Sequence, residues 1–360
     1  MSYKAADWKS GVEDVTLNGN PDFAILATEY ERDYGTKMVR RTRTFKVSGD
    51  SMSATAASND FKSACQQGLT GFTIEGIRLW LRIIHNSVVA DQLDLSIEEV
   101  WNALAFGTRY GLPFQKMEPW YNKWFQQSYP NRHSIALSDL KMLLFPSYTI
   151  GSWRHFAYVT KQSSYLATGF MKEDNPSRYD GLHTPSRVLD QINAARGSMR
   201  RELNEALLDI ACPDNFCLRK CKKRAECYIT YMEEVTLTKL WPFSTQHRIP
   251  IQTVLDSPGM TNWTHKKILD SCMDCFRRLK GDHVHEAREK VEKYWEGMCL
   301  DCVKLSLDKA GTRYAAYFSK DKSERWGAGC QVFHGRNEWY FSFMGSQDVM
   351  VQHQEDRGDF

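Results

Sequence analysis

The strongest fold signal in the chain lies at residues 95–112, which read LSIEEVWNALAFGTRYGL. Ser96 and Glu99 match the S-x-x-E capping box, in which each side chain accepts a hydrogen bond from the other residue's backbone amide. Apolar side chains then recur at helical spacing, and Gly111 supplies the left-handed residue with which many helices end. The sequence therefore predicts an amphipathic helix that is fixed at both ends.

Two more helices are predicted on either side of this one. Thr73 opens a helix whose apolar stripe would face a core, and His85 at its end is expected to cap the helix or to lie at the surface rather than to bind metal. Residues 114–127 would form the other helix, with Trp120 and Trp124 four residues apart on one face. The stripe after Thr73 consists of Ile74, Ile77, Trp80, Leu81 and Ile84.

Strand signals precede the helices. The run 21–28 is apolar and bounded by polar residues, and 44–48 alternates between polar and apolar side chains, so both predict short strands. The charged residues 29–43 between them are expected to form a solvated loop or an edge hairpin. The first part of the chain is therefore predicted to be an α+β module.

Four stretches of this module carry a family resemblance: TFKVSGDSMSATAASNDFKSA (44–64), IEGIRLWLRIIHN (74–86), LSIEEVWNALAFGTRYGL (95–112) and MEPWYNKWF (117–125). Together they resemble a BTB/POZ domain of the kind abundant in filamentous fungi. The resemblance implies a strand with its following helix and then three further helices. It also implies a protein–protein interaction role, as a homodimer or as an adaptor for a cullin-type ubiquitin ligase.

The second part of the chain is rich in cysteine. Cys272-Met-Asp-Cys275 and Cys299-Leu-Asp-Cys302 are C-x2-C pairs separated by 23 residues. Four thiolates in this arrangement match a closed tetrahedral zinc site, which stabilises structure rather than performing chemistry. Four buried thiols without metal, or one redox-active C-x-x-C, are the alternatives. His283 and His285 could each replace a sulfur, or lie on the surface of a charged loop.

A second group of cysteines has a looser spacing. Cys212, Cys217, Cys221 and Cys227 form C-x4-C-x3-C-x5-C, which is compatible with a second structural zinc and with His247 as a spare ligand. Loop and helix cysteines without metal, or disulfides, are the alternatives. Helices are predicted around these cysteines at 185–208, 228–240 and 286–296.

The resemblance continues through this second part. The second part of the chain is similar to the C-terminal extension of the same fungal proteins. The similar stretches are 175–179, 191–197, both cysteine pairs and 339–345. We therefore expect a flexible arm over 1–20, the BTB/POZ-like module over 21–127, a mostly helical zinc-stabilised extension over 140–305 and a loosely ordered tail over 306–360.

Composition restricts the functional classes further. The 360 residues are 42% hydrophobic and 25% charged with a net charge of +3, which is ordinary for a globular protein. The N-terminus lacks the apolar segment of a secretory signal, so we expect an intracellular protein, in nucleus or cytoplasm, with reduced thiols. No apolar run is long enough for a membrane helix.

The motif content of the sequence favours binding over catalysis. The sequence contains no G-x-G-x-x-G, P-loop, G-x-S-x-G or H-E-x-x-H motif. It also contains no motif that pairs a nucleophile with a general base. We therefore expect that the protein is not an enzyme. The alternative function is a zinc-dependent nucleic-acid-binding regulator, because residues 219–224 hold five cations and 40–43 hold three. A solvated charged surface explains both runs as well, and nucleic acid is therefore not the expected partner.

Overall fold

The computed structural model is a mixed α+β protein that divides into two compact units. Unit 1 comprises 1–152 and 174–183, and unit 2 comprises 153–173 and 184–360. The structure describes residues 15–16, 23–33, 36–48, 59–86, 94–131, 134–177, 179–208, 210, 221–241, 248–264, 273, 277, 279, 281–301, 303–304 and 342–343.

The sheet of unit 1 is built on one long hairpin. Strands β2 and β3 pair antiparallel, and the two-residue strands β1 and β4 flank them in the order β1-β3-β2-β4, each parallel to its neighbour. Both predicted strands are confirmed, and the charged stretch between them forms the distal half of the hairpin. The bounds are β1 Val15–Thr16, β2 Phe23–Asp33, β3 Thr36–Val47 and β4 Leu69–Thr70.

Five α-helices and one 3-10 turn complete the described part of unit 1. The capping box is confirmed: the Ser96 hydroxyl accepts from the Glu99 amide at 3.2 Å, and the Ser96 amide donates to Glu99 Oε2 at 2.7 Å. Gly111 ends that helix with a φ of 63°. The helices are α1 Asn59–Gln67, α2 Ile74–Ile84, α3 Ile97–Tyr110, the 3-10 turn Phe114–Met117, α4 Glu118–Ser128 and α5 Leu137–Ile150.

Three buried tryptophans connect these helices. Trp80 on α2 donates its indole N–H to the Ala103 carbonyl of α3 at 2.7 Å. Trp101 on α3 donates to Met142 O of α5 at 2.8 Å, and Trp124 on α4 donates to Leu95 O at 2.7 Å. Each indole ring is thus buried, and its N–H group has a hydrogen-bond acceptor. The free-energy cost of removing that N–H group from water is therefore offset.

The carboxylate of Glu29 joins the sheet to the helical layer. Glu29 is only 4% exposed although it is charged. Its oxygens accept from Arg40 at 3.2 Å, from Arg41 at 2.9 Å and from the Ile74 amide at 3.1 Å, where α2 begins. The partial positive charge of a helix N-terminus favours an anion here, so two arginines and a helix end share one buried negative charge.

A β-bulge makes the double arginine contact possible. Glu29 pairs with Arg41 and Tyr30 pairs with Val39, so Arg40 is an extra residue on β3. Consecutive strand residues normally point to opposite faces, whereas a bulge redirects one of them. Arg40 and Arg41 therefore both reach Glu29, and the basic run at 40–43 is partly neutralised within unit 1.

His85 makes a second connection between strand and helix. It follows α2 and is 3% exposed, so the expectation that it caps the helix is confirmed and a surface position is wrong. Its Nδ1 lies 2.7 Å from Leu81 O and its Nε2 accepts from the Ser48 amide at 3.1 Å. The ring therefore joins the end of β3 to α2 through both of its nitrogens.

The described residues 174–177 and 179–183 form a hydrogen-bonded turn of unit 1. Asn175 Nδ2 donates to Tyr179 O and to Leu182 O, both at 3.1 Å, and its Oδ1 accepts from the Ser177 amide at 2.8 Å. The turn presents Tyr179, whose hydroxyl donates to Gly71 O at 2.9 Å and whose ring stacks on Phe72. This stretch of the family resemblance therefore has a structural role.

Unit 2 is mostly helical in its described part. The helix predicted at 185–208 is confirmed, the one predicted at 228–240 starts four residues earlier, and the one predicted at 286–296 begins at Asp282. The sequence did not predict the helix Leu137–Ile150 of unit 1, nor the helices Trp153–Leu166, Ile251–Leu255 and Pro258–Thr261 of unit 2. The elements are α6 Trp153–Leu166, α7 Ser186–Leu208, α8 Arg224–Leu237, α9 Ile251–Leu255, α10 Pro258–Thr261, α11 Asp282–Tyr294, β5 Gly297–Met298 and β6 Ser342–Phe343, with β5 and β6 antiparallel.

We expect Glu29→Ala to lower the free energy of unfolding by about 2–4 kcal/mol, because it removes the shared partner of two arginines and a helix N-terminus. Urea denaturation followed by tryptophan fluorescence measures the loss. Glu98→Ala is the matched control, since Glu98 is an exposed acid in the first turn of α3. Equal effects of the two substitutions would contradict the role assigned to Glu29.

Candidate metal centre

Cys299 is the member of the two C-x2-C pairs that the structure describes. It directly follows β5 and is 1% exposed. The amide of its neighbour Met298 donates to the Thr160 hydroxyl at 2.9 Å, and the Trp295 indole donates to Thr160 O at 3.3 Å. Thr160 belongs to α6, so the backbone leading into Cys299 is anchored to that helix from two sides.

Gly297 allows this close approach. Its φ is +96°, a conformation that side chains with a Cβ rarely adopt, and a Cβ there would lie 1.9 Å from Ala157 O on α6. Any larger residue would have to push β5 away from α6. Glycine at this position therefore fixes where the second cysteine pair begins.

Helix α11 lies between the two cysteine pairs in the sequence. It has 13 residues and is thus about 20 Å long. Cys275 precedes its first residue, Asp282, by seven positions, and Cys299 follows its last residue, Tyr294, by five. Four sulfurs around one zinc lie within about 4 Å of each other. A shared ion therefore requires the segments that flank α11 to run back along it.

The helix itself is held firmly against α6. The Tyr165 hydroxyl donates to Val291 O at 2.6 Å, and Lys161 forms an ion pair with Glu296 at 2.9 Å. Burial raises the pKa of the Tyr165 hydroxyl well above its usual range, so it remains a donor at physiological pH. These contacts hold α11 and the segment that leads to Cys299 against α6.

The looser cysteine group is described at two of its positions. Cys221 is half-buried just before α8, and Cys227 lies in the first turn of α8 and is 1% exposed. Cys227 shares the buried face of the helix with Tyr231, one turn further on. The predicted ligands outside the described residues are Cys212, Cys217, Cys272, Cys275 and Cys302, together with the spare ligand His247.

His283 lies close to this face, and the structure corrects its predicted setting. It was expected on the surface of a charged loop but is half-buried in the first turn of α11. Its Nε2 lies 3.2 Å from the Tyr231 hydroxyl, which itself donates to Leu207 O at 2.6 Å. Since a hydroxyl has one proton, the Nε2 nitrogen has to donate to the Tyr231 oxygen. His285 is exposed on the same helix.

The ligand shell itself remains a prediction. Within the described residues no three His, Cys, Asp or Glu side chains lie close enough to hold one ion, and only three of the eight proposed thiols are among those residues. Cys65 is a different kind of thiol. It is buried in unit 1, where burial raises its pKa to about 12 and keeps it protonated.

Three buried charged residues among those described are not predicted from the sequence: Glu29, Arg196 and Glu202. Glu29 lies at alternating spacing with the buried residues Ile25 and Ala27, which was the available signal for its burial. Arg196 on α7 is 3% exposed and donates to Gly169 O and to Asn193 Oδ1, so it fastens the loop after α6 onto α7. Burial lowers its pKa to about 10. No sequence pattern distinguishes it from a surface arginine.

Both basic runs contain ion-paired members. Arg40 and Arg41 contact Glu29, and Lys223 forms an ion pair with Glu226 at 2.6 Å. Fewer cations are thus left for phosphate contacts than the sequence suggests. None of the helices within the described residues is both long and apolar enough to cross a bilayer.

Comparison with known proteins gives no further guidance. No family model matches this chain, and neither the curated proteins nor the solved structures that were compared include a match. Its function therefore has to be argued from its own residues.

We expect Gly297→Ala to destabilise unit 2 by about 2 kcal/mol or more, since it combines a strained backbone with a clash against α6. Gly197→Ala is the matched control. Gly197 lies in α7 with no atom within 4 Å of an added Cβ, so this change should stabilise the helix by about 0.5–1 kcal/mol. Thermal unfolding of both variants measures the contrast, and a neutral Gly297→Ala would disprove the close approach.

Proposed function

We propose that this chain is a protein–protein interaction protein, with a BTB/POZ-like module in unit 1 and a second unit stabilised by structural zinc. The order of secondary-structure elements in unit 1 supports the BTB/POZ-like module. After β3 come α1, the short strand β4, α2, α3, the 3-10 turn and α4, an order compatible with the strand, helix and three further helices that the family resemblance implies. The long hairpin ahead of them is held to α2 by Glu29.

The distribution of buried polar groups also supports binding rather than catalysis. Glu29, His85 and Thr160 each connect two elements through hydrogen bonds that use their polar atoms. Within the described residues, these buried groups act as connectors between a strand and a helix or between two helices. They therefore contribute to a rigid scaffold, and such a scaffold acts through its surface.

The proposal that structural zinc stabilises unit 2 rests on the chemistry of the cysteine thiolates. The thiolates of Cys272, Cys275, Cys299 and Cys302 would hold one ion, and those of Cys212, Cys217, Cys221 and Cys227 would hold a second, with His283 or His247 as substitutes. Zinc supplies a closed shell that joins distant segments without redox chemistry. Cys299, buried and anchored to α6, is the fixed point around which such a shell would assemble.

The adaptor role is tested by a pull-down with a purified cullin N-terminal domain. Retention that rises with cullin concentration and saturates supports the proposal, because an adaptor forms a stoichiometric complex. The Gly297→Ala variant serves as a control, since its substitution lies in unit 2 and should leave binding by unit 1 intact. No retention at any concentration would exclude a cullin adaptor. Capture of an unrelated nucleic acid that falls steeply with salt would instead favour the nucleic-acid alternative.

The zinc clamp is tested by elemental analysis of protein purified without added metal. We expect one or two equivalents of zinc per chain, and Cys299→Ser should lose one of them and unfold part of unit 2, because metal binding is coupled to folding. Cys330→Ser is the matched control, since Cys330 belongs to neither cysteine group. Wild-type protein without zinc, or a Cys299→Ser variant with full zinc content, would contradict the clamp.

A further inference from the structure

Arg196 on α7 carries a buried positive charge that no acid of the described chain neutralises. Its side chain is 3% exposed, and the acid on the next turn of the helix, Glu202, is already paired with Lys290 at 2.6 Å. Burial, and after it the charge of Arg200, lowers the pKa of Arg196 to about 10, so the guanidinium stays protonated at physiological pH. A buried charge is costly unless it is paired, so this one indicates a partner that the described residues do not provide.

The hydrogen bonds of Arg196 leave one edge of its guanidinium unused. The Nη1 nitrogen donates to Gly169 O and to Asn193 Oδ1, which fixes the orientation of the planar group. Nε and Nη2 are buried, and neither nitrogen has an acceptor among the described residues. These two nitrogens share one edge of the group and present parallel N–H bonds, the arrangement that binds two oxygens of a carboxylate or phosphate.

Asn193 keeps the guanidinium in this orientation. Its Oδ1 accepts from the Met171 amide at 2.9 Å as well as from Arg196 Nη1 at 3.2 Å, and its Nδ2 donates to Leu189 O at 2.9 Å. The amide group is thus bound both to α7 and to the loop that follows α6. The unused edge of Arg196 is therefore held in place before any ligand arrives, which lowers the entropy cost of binding one.

Arg200 adds a second positive charge one turn along α7, because residues four apart lie on the same side of a helix. It is half-buried, its Nη2 donates to Ile249 O at 2.7 Å, and it forms no ion pair with any acid that the structure describes. Burial lowers the pKa of Arg200 as well. Its neighbour Arg201 differs, since that side chain is exposed and ion-paired with Glu205 at 3.4 Å.

We propose that Arg196 and Arg200 bind a small oxyanion with two negative charges, such as inorganic phosphate or sulfate, inside unit 2. The unused edge of Arg196 holds two of its oxygens, and Arg200 balances the second negative charge. A water molecule would accept one of the N–H groups but leave both positive charges uncompensated, and a carboxylate would compensate only one. Because both unsatisfied nitrogens are buried, the ion is enclosed, which favours a free anion over the phosphate of a large molecule.

Such an anion is a structural ligand. Arg196 is bound to the loop after α6, and Arg200 is bound to the residues that precede α9. An ion shared by the two arginines therefore links both segments to α7 and stabilises unit 2. The inference is independent of the proposed function, because it requires neither bound zinc nor the BTB/POZ-like module.

Thermal unfolding of the full chain in chloride buffer, with phosphate or sulfate added at constant ionic strength, tests the site. A ligand that binds the folded state alone raises the melting temperature as its concentration rises. We expect a rise of about 3–6 °C at about 10 mM of either anion. An unchanged melting temperature, as when a carboxylate of the chain itself neutralises Arg196, would overturn the proposal.

Substitutions separate this site from general salt effects. Arg196→Met and Arg200→Gln should each remove most of the shift, whereas Arg201→Gln, the matched control on the same helix, should keep it in full. Phosphate and sulfate stabilise many proteins through exclusion from their surface, so an equal shift in Arg196→Met and Arg201→Gln would overturn the proposal. Arg200→Gln, at a half-buried position, gives the same comparison should Arg196→Met fail to fold.

Acetate tests the number of charges on the ligand. It presents two oxygens to Arg196 but carries a single negative charge, so at the same concentration it should raise the melting temperature less than half as much as phosphate. An acetate shift equal to that of phosphate would overturn the assignment of a doubly charged anion.

Discussion

One buried carboxylate connects the sheet and the helices of unit 1. The Glu29 carboxylate accepts hydrogen bonds from two arginines of the neighbouring strand and from the first amide of α2. The donor–acceptor distances are 2.9–3.2 Å. A buried charge is costly unless it is paired and hydrogen-bonded, and here the partners come from two different elements. The hairpin register, the bulge at Arg40 and the start of α2 therefore depend on one another, and α3 packs against α2.

Unit 2 is organised around a close contact between backbones. Gly297 approaches α6 so closely that no side chain fits, and Thr160 binds the chain on both sides of it. This contact holds the end of α11 and the start of the second cysteine pair in a defined place. A metal site gains affinity when its ligands are fixed before the ion arrives, because less conformational entropy is lost on binding. The anchoring of Cys299 is thus the feature of the described scaffold that best suits a structural zinc.

The sequence predicted the elements whose signals are local. The capping box at Ser96, the stop at Gly111, the strands around 21–28 and 44–48 and the long helix ending at Leu208 were all confirmed. The helix α6 was missed, since its polar residues Thr160, Ser163 and Ser164 weaken the apolar pattern although all three are buried. The hydroxyls of Thr160 and Ser164 donate to carbonyls one turn earlier, and a hydropathy pattern does not reveal such bonds.

The sequence by itself determined the α+β class and the helix boundaries set by caps, because each depends on residues close together in the chain. Only the tertiary structure decided that Glu29 is a shared partner, that His283 belongs to a helix beside Tyr231, and that α8 leaves Ile229 and Leu237 exposed. These outcomes depend on which surfaces of distant segments meet, and local spacing carries no information about the partner across the contact. Burial of a charge or exposure of an apolar side chain is therefore a property of the packed chain.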